Sequence, residues 1–197
     1  YFNRGPCMAA PSAPSQRDLL VKTGARIFHE RGYSATGVRQ VATAANVPLG
    51  SFTNHFRSKE RFALVVLEHY VARLDHIMQA TLGDMSRPPS ERIFAYFEAI
   101  EGALKEQDWG VGCLIPDLAT EAPAHSQLLR EALTRILDRQ TSAFAVAVRD
   151  LALSDEAEDL AAVLLAAWHG SLLRMKLERT SEPIARFKRT LRRLLSA

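Results

Sequence analysis

Two groups of side chains in this sequence have the types and spacing to do chemistry. The first runs from Thr36 to Lys59, where Thr36, Arg39, Gln40, Leu49, Ser51, Thr53, Asn54, His55 and Lys59 interleave with apolar residues. Short hydroxyl, amide and imidazole groups can meet base edges in a DNA groove, asparagine pairing bidentately with adenine, while cations meet phosphates. The second group centres on a thiol, Cys113, set behind the glycine-rich stretch Trp109 to Gly112, with Tyr96, Trp168, His169 and Lys176 elsewhere in the chain. A thiol at a helix N-terminus and near a cation has its thiolate stabilised and becomes nucleophilic at neutral pH. Lys176 is the candidate cation. Helical spacing of aromatic residues is also what plain packing produces, and a buried, inert cysteine is the competing reading of Cys113.

Other chemistries lack their residues. Two cysteines, Cys7 and Cys113, give neither a disulfide framework nor a clustered zinc set, so no cofactor or metal is expected and a reducing cytoplasm fits. No glutamate is followed three residues later by histidine, as a di-metal helix bundle requires. His125 and His169 could serve a thiol-dependent enzyme, but neither sits in a catalytic signature.

The elements that must position these groups are helices. No Asn-Gly or Asp-Gly turn occurs, and apolar residues recur with the helical period. Ser15 with Asp18 predicts a capping box opening a helix that buries Leu20, Gly24, Ile27 and Phe28 and stops at Gly32. Thr36 is placed to cap a short second helix carrying Val38, Val41, Ala42 and Ala45, and Pro48 suits the first turn of a third. Ser58 caps a long fourth helix to about Leu82, with Ala63, Val66, Leu67, Tyr70, Leu74, Ile77 and Met78 on one face. A fifth follows the break at Gly83 to Pro89, and a short helical piece covers Cys113 to Ala119. Pro123 and Ser154 then open two long helices. Pro183 begins the last, which buries Ile184, Phe187, Leu191 and Leu194. Its cations Arg186, Lys188, Arg189, Arg192 and Arg193 fall mostly on the wet face, and no membrane partner is expected.

Length, composition and charge agree with an all-α chain in two parts. The 197 residues, 47% hydrophobic and 24% charged, are those of a globular protein of one or two domains. The longest apolar stretch, Leu160 to Leu173, is broken by His169, Gly170 and Ser171 and is too short to span a bilayer. Residues 1 to 61 carry nine Lys or Arg against three acids, so a net +6 there leaves −3 for the remainder of a chain of net charge +3. Residues 1–14 read as a tail whose first seven precede a natural start at Met8, 15–60 as a helix-turn-helix domain and 61–197 as a helical body.

Between Thr36 and Phe56 the order is short helix, tight link at Asn46-Val47, short helix. Spacing alone fits a small helical bundle with a polar face as well as it fits a DNA-reading head. The residues themselves go further. Gly32-Tyr33-Ser34-Ala35-Thr36-Gly37-Val38, followed by Ala45 through Glu60, resembles the N-terminal domain of TetR-family transcriptional regulators over about 45 residues from Leu19. The resemblance implies a homodimer held by two C-terminal helices, binding a palindromic DNA operator and released by a small-molecule effector in the C-terminal domain. Thr36, His55 and Lys59 match positions that touch phosphates in the family. Thr53 stands where the family usually has Tyr, and Leu49 where close relatives often have Lys, so Ser51, Thr53 and Asn54 are left to read bases.

The body has a resemblance of its own. Gly112-Cys113-Leu114-Ile115, Trp168 through Lys176 and Ser181-Glu182-Pro183 resemble a TetR subgroup that includes an acrylate-responsive regulator and the repressor of N-ethylmaleimide reductase. That likeness implies an effector that is a small electrophile or a short unsaturated acid, with Tyr96, Trp109, Cys113, Trp168, His169 and Lys176 as its candidate contacts. A ligand-responsive regulator, most simply a repressor and not an enzyme, is therefore expected. A helical thiol-dependent enzyme and a plain dimeric interaction module are the alternatives from other classes.

Overall fold

The structure is a computed structural model describing residues 14–107, 109, 111–151 and 156–195. Apart from Pro14, the tail expected over 1–14 lies outside the described residues, as do Cys7, the start assigned to Met8, Gly110 in the glycine-rich stretch and the helix cap expected at Ser154. Every described element is helical. They are α1 (Gln16–Arg31), α2 (Val38–Ala44), α3 (Leu49–His55), α4 (Lys59–Thr81), α5 (Pro89–Lys105), α6 (Leu114–Glu121), α7 (Gln127–Arg149), α8 (Ala157–Glu178) and α9 (Glu182–Leu195), with one 3-10 turn at Ala122–Ala124.

α1 begins where the sequence says it must. The Ser15 side chain accepts from the Asp18 amide and the Asp18 carboxylate accepts from the Ser15 amide, completing the capping box. Gly24 lets α1 approach α4, since a Cβ there would lie 2.3 Å from Cζ of Phe62. Gly32 ends α1 at φ +79, in the left-handed region glycine favours. α4 runs without a break through the boundary expected at 60–61 and carries Phe62 into the head.

Several helix starts sit a few residues from their expected places. Gly37, not Thr36, is the N-cap of α2, because the Thr36 hydroxyl turns inward and donates to the Gly32 carbonyl at 2.7 Å. Pro48 occupies the cap itself, one residue ahead of α3's first turn. Pro123 belongs to the 3-10 turn, and α7 opens four residues later under Ser126, whose hydroxyl accepts from the Leu129 amide. Pro183 does fall in the first turn of α9. Leu194, expected in the core, is 68% exposed.

The body packs α4, α5, α7, α8 and α9 around an aromatic cluster in which Phe97 stacks on Phe144 and meets Tyr96, Trp168 and Phe187. Arg92 of α5 is also buried, pairing with Asp150 and donating to the Leu82 carbonyl at 3.2 Å, which ties the ends of α4 and α7 to α5. At 22 residues and mean hydropathy 1.2, α8 has the length and composition to cross a membrane. Its Ala161, Leu165, Trp168, Leu172 and Met175 are buried in the bundle, while Leu160, Val163, Leu173 and Leu177 are exposed.

Candidate nucleic-acid interface and ligand site

The head is a helix-turn-helix whose second helix is seated by rings. Asn46 takes a left-handed turn, φ 52, and the Val47 amide donates to the Ala42 carbonyl at 2.9 Å, closing the link between α2 and α3. Small Ala42 and Ala45 are buried at the crossing with Val41 and Val47. Beneath α3, Phe52, Phe56 and Phe62 make a triangle of rings with centroids 5.3, 5.0 and 4.9 Å apart. Such contacts fix the angle at which α3 leaves the surface.

What α3 presents follows from that seating. With Phe52 buried, Leu49, Thr53, Asn54 and His55 are exposed, and Arg39 of α2 is exposed beside them. Ser51 is half-buried and donates to Oε1 of Gln16 at 2.6 Å, so the start of α1 braces α3. Gln40 is half-buried as well and accepts from the Gly37 amide at 3.4 Å. Thr36 departs from expectation: it is buried and its hydroxyl is spent on Gly32, so the side chain braces the α1–α2 link instead of reaching outward. The Lys59 ammonium donates to the Ser34 carbonyl at 3.2 Å and lies 4.4 Å from the centre of the Tyr33 ring, and its partial burial lowers its pKa.

Of the six body residues expected around a ligand, Tyr96 and Trp168 share the Phe97 ring, Tyr96 lies near enough to Cys113 to feel its charge, and the Lys176 side chain passes Gly112 beside Cys113. Tyr96 and Trp168 are buried in the aromatic cluster. His169 is half-buried on α8, and burial lowers its pKa. Trp109 is half-buried, packed on the core with φ 56. Cys113 caps α6; burial pushes its thiol up to about 11, while the Tyr70 hydroxyl, which donates to Sγ at 3.4 Å, and the Ile115 amide act in the opposite direction. Lys176 does not serve the thiol as its cation. Its ammonium donates to both oxygens of Asp117 at 3.0 Å.

Asp117 is a group that local pattern did not reveal. It sits on α6 and is shared between Lys176 of α8 and His29 of α1, whose Nδ1 is 3.1 Å away. Burial pushes the Asp117 carboxyl up, yet hydrogen bonds from His29 and Lys176 and their charges outweigh it and hold the group below its ordinary range. One turn further along α6, Glu121 accepts from the Ser34 amide at 2.8 Å. Two carboxylates of one body helix thus grip the end of α1 and the segment leading to α2.

Beside this grip lies a cavity of about 250 Å³. Its walls come from α1 (Ala25, His29), α4 (Tyr70, Ile77) and α5 (Ala103, Leu104). Tyr70 and Ile77, which periodicity assigns to the core, are only half-buried because this space opens beside them. A second, larger apolar groove of about 620 Å³ runs along α8 and α9, past Leu160, Val163, Phe187 and Leu194. Leu173 and Leu177 extend the exposed apolar surface of α8, at 64% and 80% exposure.

Comparison with known proteins bears on both halves. Residues 20–66 match the model of the bacterial regulatory proteins of the tetR family, and residues 89–190 match the C-terminal domain of LmrA/YxaF-like transcriptional regulators. The chain is 39% identical over 181 residues to the HTH-type transcriptional repressor DhaR of Mycobacterium sp. (strain GP1), covering 87% of each. It is 31% identical over 193 residues to the transcriptional regulator AcuR of Cereibacter sphaeroides, covering 95% of this chain and 88% of that one. Among solved structures, the reduced form of NemR from E. coli superposes with a TM-score of 0.78 at 27% identity, over 90% of this chain and 95% of that chain.

Proposed function

Because this chain belongs to the TetR family of bacterial regulatory proteins, we propose that it is a repressor that binds a palindromic operator as a homodimer and is released by a small effector held in its body. The observation that carries this reading is α3: a helix locked from below by three phenyl rings and presenting Leu49, Thr53, Asn54 and His55 outward. In a major groove Thr53 and Asn54 read base edges, with Ser51 at the margin, while Arg39, His55 and Lys59 fix register on phosphates. Gln40 accepts from the Gly37 amide and steadies the start of α2. Thr36 braces the α1–α2 link through its bond to the Gly32 carbonyl.

The dimer forms on α8 and α9, where Leu160, Val163 and Leu194 stand exposed along one groove and Leu173 and Leu177 are exposed elsewhere on α8. Pairing there sets two copies of α3 at the roughly 34–36 Å that successive major grooves demand. α4 carries the signal, since it begins in the head and forms a wall of the body cavity; a tilt of α4 changes the spacing and releases DNA. Coupling is reciprocal, so operator weakens effector binding by the same factor.

Burial raises the Cys113 thiol above its ordinary pKa and Lys176 is paired with Asp117 instead of with it, which supports an effector that acts without a covalent bond to the protein. Cys113→Ser should therefore retain its release from DNA. The test of the whole reading is titration of the purified protein onto its own upstream DNA at low ionic strength, with mass measured in solution. Two chains per site and affinity falling steeply with salt are expected. A monomer that ignores its promoter region would overturn it.

A further inference from the structure

We propose that Gln16, the first residue of α1, is a specificity-determining residue for the operator: it takes the hydroxyl proton of Ser51, so that Ser51 meets DNA only as a hydrogen-bond acceptor and selects an amino base over a keto base. The inference rests on the regulator reading above and adds which chemistry one position of the recognition helix reads, and what sets it.

Two contacts lay the start of α1 along α3. The Ser51 hydroxyl donates to Oε1 of Gln16 at 2.6 Å, and the Arg17 guanidinium lies 5.9 Å from the centre of the Phe56 ring just past the end of α3. Both ends of the Gln16–Ser51 bond are anchored. Gln16 follows Ser15 directly, and the reciprocal bonds between Ser15 and Asp18 hold that turn of backbone in place. Ser51 precedes Phe52, which is buried against Phe56 and Phe62. Gln16 is nonetheless exposed, and among the described residues its Nε2 has no hydrogen-bond partner.

A hydroxyl carries one proton and two lone pairs. With the proton committed to Gln16, Ser51 has only lone pairs to offer a base edge. In the major groove adenine N6 and cytosine N4 donate, whereas guanine O6 and thymine O4 accept. A hydroxyl reduced to its lone pairs therefore gains a bond at adenine or cytosine and meets repulsion at guanine or thymine. A serine with a free proton has no such bias, because its hydroxyl turns to donate or to accept as the base requires. The DNA itself keeps the amide the same way round. Gln16 stands beside the helix that faces DNA, so turning its amide over would bring Oε1 toward the phosphates, while the present orientation keeps its two N–H donors for them.

The experiment selects DNA from a randomised duplex library with the full-length protein and its variants, then measures the affinity of single-base changes by titration. Ser51→Ala should flatten the preference at one base position of each half-site, which marks the Ser51 contact. At that position the parent should favour adenine or cytosine over guanine or thymine by about tenfold, the effect of one polar contact left unmatched. Gln16→Met, which cannot take the proton, should reduce that preference below about threefold and leave the other positions as they were. Gln16→Glu still accepts the proton, so it should keep the preference while its negative charge beside the phosphates weakens all sequences. Adding Gln16→Met to Ser51→Ala should change base preference no further. A parent that favours guanine or thymine at the Ser51 position would overturn the proposal. So would a Gln16→Met variant that weakens every position alike or leaves the Ser51 position unchanged, a Gln16→Glu variant that loses the preference, or a Ser51→Ala variant that flattens no position. A protein that enriches no sequence from the library strikes the regulator reading instead.

Discussion

Gly24→Ala should unseat the recognition helix from a distance. A Cβ at this position would lie 2.3 and 2.7 Å from two atoms of the Phe62 ring and 3.1 Å from Cγ2 of Val66. Ordinary contact needs about 3.5 Å, so the ring must retreat by about 1 Å. It has nowhere to go: Phe62 is fully buried, with the rings of Phe28, Phe52 and Phe56 at 5.9, 5.0 and 4.9 Å. Alanine gains about 1 kcal/mol over glycine in a helix. Overpacking a closed core costs about 1–3 kcal/mol, and the hemmed ring places this case at the upper end. The net loss is about 2 kcal/mol, or about 4–8 °C in melting temperature for a chain of this length. Because Phe52 and Phe56 rest on Phe62, operator affinity should fall with stability. Thermal unfolding followed by circular dichroism, together with operator titration below the transition, checks both. A variant that melts at or above the parent temperature would refute the claim that Gly24 is held small by the Phe62 ring.

Other residues give independent checks. Asp150→Ala strips the carboxylate from the buried Arg92 guanidinium and should cost about 3 kcal/mol in urea unfolding; a loss under about 1 kcal/mol would mean that Arg92 does not depend on its partner. Lys59→Met should reduce the salt slope of operator binding by about one unit and weaken all sequences alike, and an unchanged slope would remove Lys59 from the phosphate contacts. Asp117 is held below its ordinary range when folded, so its contribution is present above the unfolded aspartate pKa near 3.9 and is lost as pH falls through that value toward the folded pKa. The stability gap between the parent and Asp117→Asn should therefore be widest near neutral pH and close below about pH 4; a gap independent of pH would argue against an ionised Asp117 in the grip.

The sequence alone determined the helices and the head. Ser15 and Asp18 bond within one turn, the spacing of Ala63, Val66, Leu67 and Leu74 marks one face of α4, and the polar residues of α3 follow from where Phe52 must point. All of these are set by neighbours within a few residues, which is why pattern reads them. Tertiary structure decided which distant side chains meet. It gave Lys176 to Asp117 rather than Cys113, turned Thr36 inward, set Cys113 against Tyr70, and opened a cavity beside Tyr70 and Ile77, which the same periodicity places in the core. Those outcomes depend on the angles at which α1, α4, α6 and α8 cross, and a crossing angle is fixed by the summed shapes of many packed side chains, a quantity no local spacing contains.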